Sequence, residues 1–214
     1  MMPEIENPAL KQFVAQIGDE LVLAQVLIRR QGAGYELRHA QDATVMAEAL
    51  RTIPWQETRA LAQFTAAGEF RPLKSAPTLQ RGWQLRVANA IDLGSVLDRL
   101  YPGAVADWFV AQSAHPPVTN YRDYTGRQSG MYRITTLLDD TQATNVIATV
   151  CAPANCLKRR LWTVEGLAPD AFPGKSPIPC LEPCAILMES ARQAVRAEQK
   201  ENPTVKLAAV AKPG

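Results

Sequence analysis

The chain has 214 residues, of which 47% are hydrophobic and 21% are charged, and its formal net charge is +2 at pH 7. This composition is typical of a globular protein and excludes a disordered or fibrous chain. A charge this small gives no strong field for a polyanion, so nucleic acid is not expected as a partner.

No segment of the sequence predicts a membrane span or a signal peptide. The longest apolar run, Leu21 to Ile28, contains Gln25 and is far shorter than the ~20 residues that cross a bilayer. The acidic N-terminus, MMPEIENPAL, lacks the apolar core of a signal peptide. We therefore expect a cytoplasmic protein without a membrane partner.

The first part of the chain predicts a mixture of helices and strands. Turn residues at 31–34 predict a hairpin, and Asp42 is a suitable N-cap residue. Strands are predicted over residues 21–30, 35–39 and 82–87. Helices are predicted from Asp42 to Leu50, from Pro54 to Phe64 and from Asp92 to Leu100, and over 8–17 and 104–112.

The second part begins after Pro116 and Pro117, which favour a domain boundary, and predicts mostly helix. Helices are predicted over residues 129–138, from Asp139 or Asp140 to Val150, and from Leu181 to Gln199, with one or two turns between Leu157 and Trp162 and a loop over 166–179. We predict an α+β protein in which a small mixed α/β domain (1–118) precedes a mostly helical domain (119–200) and a flexible tail (201–214).

The four cysteines are the most informative residues. Cys151, Cys156, Cys180 and Cys184 lie within 34 residues, and the first 150 residues contain none. Nothing implies an oxidising compartment, so disulfides are a weaker interpretation than a shared metal or cluster site. We therefore predict that these four thiols are metal ligands.

The spacing of the cysteines predicts how the chain holds them. Cys180 and Cys184 share a helix face if both are helical, and Pro183 is tolerated in a first turn. This places Cys180 at the start of the last helix, near the positive end of its dipole. Cys151 and Cys156 are five residues apart and Pro153 lies between them, so a loop is expected there.

The spacing leaves three kinds of site open. A Cys₄ zinc site permits two to four residues within a pair, but the flanking prolines and the lack of glycine-containing knuckles favour an iron–sulfur cluster. Unligated or disulfide-bonded thiols are the third alternative. The cysteine order is also similar to that of thioredoxin-like [2Fe–2S] ferredoxins, although no β-α-β frame is found between Cys156 and Cys180.

Basic residues near the cysteines are candidates for contact with an anionic cofactor. Lys158, Arg159 and Arg160 directly follow Cys156, and cations there can raise the reduction potential of a cluster or dock an acidic partner. A solvated basic turn is the alternative. The segment 121–133, dense in Arg, Tyr and Gly, contributes Arg127 and Arg133 as further candidates, with a packed interdomain loop as the alternative.

No catalytic constellation can be identified. His39 and His115 are the only histidines, and neither belongs to a recognisable catalytic arrangement. Phosphate-loop, dinucleotide-binding, G-x-S-x-G and H-E-x-x-H motifs are not found. We do not expect the chain to be an enzyme by itself.

Several motifs resemble a multidomain bacterial family. They are GEFRPLKSAPTLQRGWQL, LYPG followed by ADWF, RQSGMYR, and CAPANCLKRRLW followed by PCLEPC, and the resemblance covers about residues 20–195. In that family a sirohydrochlorin cobaltochelatase-like module precedes a stabilising domain and a [4Fe–4S] cluster-binding domain. The resemblance implies that Cys151, Cys156, Cys180 and Cys184 are cluster ligands, but it does not include the chelatase module or its metal-binding histidines.

The sequence and the resemblance together predict an iron–sulfur accessory protein. The expected cofactor is a [4Fe–4S] cluster, with a [2Fe–2S] cluster or zinc as alternatives. The expected role is electron transfer, redox sensing or partner control in cobalamin or sirohaem metabolism, with a separate chelatase or redox protein as partner. The alternative is a non-catalytic interaction module stapled by a structural metal site.

Overall fold

A computed structural model gives the fold and describes residues 5–64, 67–70, 76–171 and 178–201. The first helix, α1 (Pro8–Gln16), begins after Asn7, whose side-chain oxygen accepts hydrogen bonds from the backbone N–H groups of Ala9 and Leu10. This cap satisfies two backbone donors that the first turn of a helix leaves without intrahelical partners.

Within the described residues, the first part of the chain forms a five-stranded sheet with the order β1-β2-β3-β5-β4. The first four strands in this order pair antiparallel, and β4 pairs parallel with β5. The strands are β1 (Glu20–Leu23), β2 (Val26–Gln31), β3 (Gly34–His39), β4 (Arg51–Thr52) and β5 (Trp83–Val87).

Two residues determine how the strands of the sheet are connected and packed. The predicted strand over 21–30 is in fact two strands, because Ala24 adopts a left-handed φ of 53° and the chain reverses there. At the start of β3, a Cβ on Gly34 would collide with the carbonyl oxygen of Val87, so glycine permits the close approach of β3 to β5.

The predicted helix from Asp42 to Leu50 is wrong. One short 3-10 turn (Ala40–Asp42) ends where the predicted helix would begin and another (Ala47–Ala49) lies within the segment, because Asp42 is committed to a tertiary contact. Asp42 is 3% exposed, and its carboxylate accepts from the backbone N–H of Gly82 at 2.7 Å and pairs with Arg81 at 3.0 Å.

Three further helices complete the first part. The predicted helix from Pro54 to Phe64 is a 3-10 turn (Trp55–Glu57) followed by the short helix α2 (Arg59–Gln63). Helices α3 (Ala90–Leu100) and α4 (Ala104–Ala111) pack against α1, and α3 also contacts the sheet. Together they bury an N-terminal core, which includes Phe13, Val26, Ile28, Leu37, Trp83, Leu85, Leu93, Leu97 and Ile178.

The second part is mostly helical, as predicted, but two segments differ from the prediction. Residues Gly130–Leu137 form a 3-10 helix rather than an α-helix. The predicted turns at 157–162 are instead the strand β6 (Arg159–Arg160), which pairs parallel with β7 (Pro179–Cys180) because its backbone groups bond across to that strand. The helices are α5 (Tyr121–Gly126), α6 (Asp140–Val150) and α7 (Ala185–Glu201).

The helices of the second part bury a C-terminal core. Asp139 caps α6 in a capping box with Gln142, which confirms that helix start. Helix α6 and the 3-10 helix both pack against α7. The C-terminal core includes Tyr121, Leu138, Ala143, Ile147, Trp162, Val164, Leu187, Ala191 and Val195.

The two parts are joined by contacts that start beside the cysteines. The backbone N–H of Leu157 donates to the carbonyl oxygen of Ala76 at 2.8 Å. The ammonium group of Lys158 pairs with Asp107 of α4 at 2.5 Å. Ile178, two residues before Cys180, is fully buried in the N-terminal core. Residues on either side of the cysteines are therefore anchored to the first part of the chain.

The α+β fold class is confirmed, with a sheet in the first part and helices in the second. The domain bounds at 118 and 200 stay predictions. The predicted tail lies outside the described residues beyond Glu201, as does part of the predicted loop, 172–177. In the described part of the chain, no helix is both long enough and apolar enough to cross a membrane.

Candidate metal centre

The four cysteines line one small cavity. Its other lining residues are apolar or aromatic: Val150, Trp162, Ile186 and Leu187. Each thiol is partly buried and none is in a disulfide. The cavity lies between the two cores, because Cys156 packs against the N-terminal core while the other three cysteines pack against the C-terminal core. The structure therefore brings together all four predicted ligands.

The first pair lies in a tight loop, as predicted. Cys151 ends α6, where its backbone N–H donates to Ile147 at 2.8 Å. The loop then turns back, since the N–H of Cys156 donates to Ala152 at 2.9 Å. Asn155 fixes the turn by donating its side-chain amide to the carbonyl oxygen of Thr149.

The second pair is not held as predicted. Cys180 lies in β7 and α7 begins only at Ala185, so the two cysteines do not share a helix face. The carbonyl oxygen of Cys180 instead accepts a hydrogen bond from the backbone N–H of Leu161 at 2.9 Å, beside the pairing of β6 with β7. Cys184 directly precedes α7, and its carbonyl oxygen accepts from Met188. Only Cys184 is therefore at the N-terminal end of the helix.

Trp162 gives the cavity a polar group besides the thiols. Its side chain is 0% exposed, and its indole Nε1–H donates to Cys180 Sγ at 3.3 Å. The ring stacks on Tyr121, with centroids 6.3 Å apart, and the guanidinium of Arg160 lies 5.2 Å from the ring centroid. Sequence analysis did not single out Trp162 as part of the site, because no local pattern pairs a tryptophan with a cysteine 18 residues later.

Burial makes two of the thiols weaker acids than a free cysteine. Burial, followed by the neighbouring thiols, raises the pKa of Cys151 to about 12 against the opposing charge of Arg160. Burial also raises the pKa of Cys180 to about 11, against the indole N–H of Trp162 and the charge of Lys158. Because thiolates are the form that binds metal, loading this site must release protons near neutral pH.

The predicted basic residues occupy different surroundings, and none is among the described residues lining the cavity. Lys158 pairs with Asp107 but is close enough to lower the pKa of Cys180. Arg127 is exposed and donates to Thr119 and Asp123, and Arg133 lies exposed in the 3-10 helix. The backbone of Arg159 bonds to Ile178. Their role in cofactor binding stays a prediction.

Arg160 is the most deeply buried residue of the basic run, at 3% exposed. Its side chain is 4% exposed and pairs with Asp170, and it donates to the carbonyl oxygens of Trp162 and Ala168. The charge of Arg160 also opposes the raised pKa of Cys151. Sequence placed it within the basic run but could not distinguish it from Lys158 and Arg159.

The donor set fits an iron–sulfur cluster. The four thiols surround a shared cavity, with an N–H donor in its wall. Cysteine thiolates are the usual ligands of such clusters, and hydrogen bonds to sulfur are usual around them.

Comparison with known protein families assigns both parts of the chain. Residues 113–193, which include all four cysteines, match a 4Fe-4S iron-sulfur cluster binding domain. Residues 8–112 match the DR2241 stabilising domain. The chain is thus similar to both domain families over these ranges. The predicted resemblance is thereby confirmed, and the cavity of the four cysteines lies within residues 113–193, which match the cluster-binding domain.

One solved structure relates the two domains to a larger protein. DR2241 from Deinococcus radiodurans is described as a multi-domain protein with structural similarity to chelatases and two additional novel domains. The alignment has a TM-score of 0.70 and 28% identity, and it covers 88% of this chain but 40% of DR2241. The present chain thus spans less than half the length of that protein. A search of curated proteins found no match.

Proposed function

We propose that this protein binds one [4Fe–4S] cluster through Cys151, Cys156, Cys180 and Cys184. The observation that carries the proposal is the convergence of all four thiols on one cavity within the matched domain. A cubane has four iron corners, so four thiolates around a cavity can each bind a separate iron. When bound, the cluster supplies one-electron redox chemistry.

The surrounding residues have distinct tasks in this proposal. The loop from Cys151 to Cys156 and the strand β7 present thiols from two directions, and the apolar lining excludes water from them. Lys158 and Arg160 place positive charge near thiolates that become anionic on loading. Such charge favours the thiolate form, which the apolar surroundings alone disfavour.

We further propose a redox or regulatory role beside a metallochelatase of tetrapyrrole metabolism. Support comes from DR2241, in which chelatase-like structure and two additional domains occur in one protein. The present chain aligns with 40% of it, and the proposed partner is a chelatase or a redox protein. Cobalamin and sirohaem synthesis are the expected settings.

The proposal is tested by metal and sulfide analysis of the full chain purified without oxygen. We expect about four iron and four sulfide per chain, a brown colour and a broad absorption band near ~400 nm that bleaches with dithionite. Two iron and two sulfide would replace the [4Fe–4S] assignment by [2Fe–2S]. One zinc per chain without sulfide would overturn the cluster and favour a structural staple.

The partner is tested separately. A purified sirohydrochlorin chelatase is assayed for metal insertion with and without the loaded protein, and binding is measured alongside. We expect an altered insertion rate that depends on whether dithionite has been added. An unchanged rate together with no binding would overturn the chelatase partner while leaving the cluster assignment intact.

A further inference from the structure

The indole of Trp162 is built into the wall of the cysteine cavity in a fixed position. It is completely buried, and its N–H lies 3.3 Å from Cys180 Sγ. Tyr121 stacks on its ring at an interplanar angle of 25°. Arg160 lies over the ring and donates at 2.5 Å to the carbonyl oxygen of Trp162, so both the ring and its backbone are held.

The acceptor of this hydrogen bond is one of the proposed ligands. As a thiol, Cys180 also donates to the carbonyl oxygen of Glu182 at 3.3 Å. A thiolate has no proton to donate, so only the bond from Trp162 persists when Cys180 binds iron. The N–H bond then becomes charge-assisted, and such bonds are about twice as strong as neutral ones.

We propose that Trp162 is a positioning residue that raises the reduction potential of the cluster through its hydrogen bond to Cys180. This inference rests on the proposed function. Reduction by one electron increases the negative charge shared by the sulfur ligands, so an N–H donor stabilises the reduced form more than the oxidised form. No bond forms or breaks and no proton moves, and the electron comes from a one-electron reductant.

The direct test replaces Trp162 by phenylalanine, which keeps an aromatic ring but removes the N–H. The matched control is Trp83→Phe, since Trp83 is equally buried and donates its indole N–H at 2.8 Å to Gln80, in the N-terminal core. The midpoint potential of the loaded, full-length protein is measured by anaerobic titration with dithionite, followed by absorption and electron paramagnetic resonance.

We expect the Trp162 variant to have a more negative midpoint potential, with about a five- to tenfold smaller equilibrium constant for reduction. Trp83→Phe should leave the potential unchanged although it also loses a buried hydrogen bond. An unchanged potential in a fully loaded Trp162 variant would overturn the inference. Wild-type protein that holds no iron and sulfide would instead overturn the proposed function, so the two failures are distinguishable.

A second measurement needs no folded variant. The wild-type protein is labelled with ¹⁵N-indole tryptophan, reduced, and examined by pulsed electron paramagnetic resonance. Trp162 should produce a ¹⁵N coupling to the reduced cluster, because its indole N–H donates to Cys180 Sγ. The absence of any ¹⁵N coupling would contradict a hydrogen bond from this indole.

Discussion

Replacing Ile178 by alanine should weaken cluster retention although no ligand is changed. Ile178 is fully buried in the N-terminal core, and it lies two residues before Cys180. Its carbonyl oxygen accepts the backbone N–H of Arg159 at 2.9 Å, which joins it to the ladder between β6 and β7. The side chain therefore anchors the strand that carries one of the four thiols.

The expected cost can be worked from the burial. Truncation of a fully buried isoleucine to alanine lowers the free energy of unfolding by about 2–5 kcal/mol, through lost transfer energy and the remaining cavity. This is a large part of the ~5–15 kcal/mol that stabilises a typical domain. The backbone of β7 then loses the anchor that Ile178 provides in the N-terminal core, so Cys180 should leave the cavity more often.

The assay compares Ile178→Ala with Ile28→Ala, since both isoleucines are 0% exposed in the same core. Urea denaturation gives the change in unfolding free energy, and transfer of iron to a chelator under nitrogen gives the release rate. We expect similar losses of stability in the two variants but a several-fold faster iron release only in Ile178→Ala. The milder Ile178→Val, at about 0.5–1.5 kcal/mol, serves if the alanine variant does not fold.

Equal release rates in Ile178→Ala and Ile28→Ala would refute this reasoning. They would mean that iron loss follows the global stability of the protein and not the anchoring of β7. A release rate unchanged from wild type in both variants would also refute it, because Cys180 would then be held independently of the N-terminal core.

Three further changes have definite expected outcomes. Cys180→Ala should lower the iron content and the melting temperature, because ligation and folding are coupled; unchanged iron would exclude Cys180 as a ligand. Asp139→Ala removes the capping box of α6 and should cost about 0.5–2 kcal/mol in urea denaturation, and no loss would contradict the cap. Burial alone would raise the pKa of Asp42, but Gly82 and Arg81 hold it below its usual value, so this carboxylate contributes stability that is lost as pH falls below about 4. Asp42→Asn should lower the free energy of unfolding by about 1–3 kcal/mol at pH 7 and should make that free energy less dependent on acid. Urea titrations of both proteins at pH 7 and at a pH below about 4 test this.

Local sequence signals predicted the elements that depend on local interactions. The capping residue Asp139 marked the start of α6, and the alternation at Trp83–Val87 marked β5. Tertiary contacts decided the segments that were wrong. Asp42 resembles an N-cap but is used by Gly82 and Arg81, across about 40 residues of sequence.

The sequence predicted the ligands of the candidate site but not the residues that hold them in place. The clustering of the four cysteines in the sequence was sufficient to predict that they share one site. The strand position of Cys180 was missed because a pair of two-residue strands has no periodicity to detect. The hydrogen bond from Trp162 was missed for a similar reason, because it depends on the packing of Tyr121 and Arg160 around one ring.

Residues that flank the cavity contact the first part of the chain. The segment after Cys156 bonds to Ala76 through Leu157 and to Asp107 through Lys158, while the segment before Cys180 inserts Ile178 into the N-terminal core. One cysteine of each pair is thus adjacent to residues held by the stabilising domain. A ligand that binds only one conformation of a protein also stabilises the contacts present in that conformation. Cluster binding should therefore strengthen the contact between the two parts of the chain. By linkage, that contact should strengthen cluster binding by the same free energy.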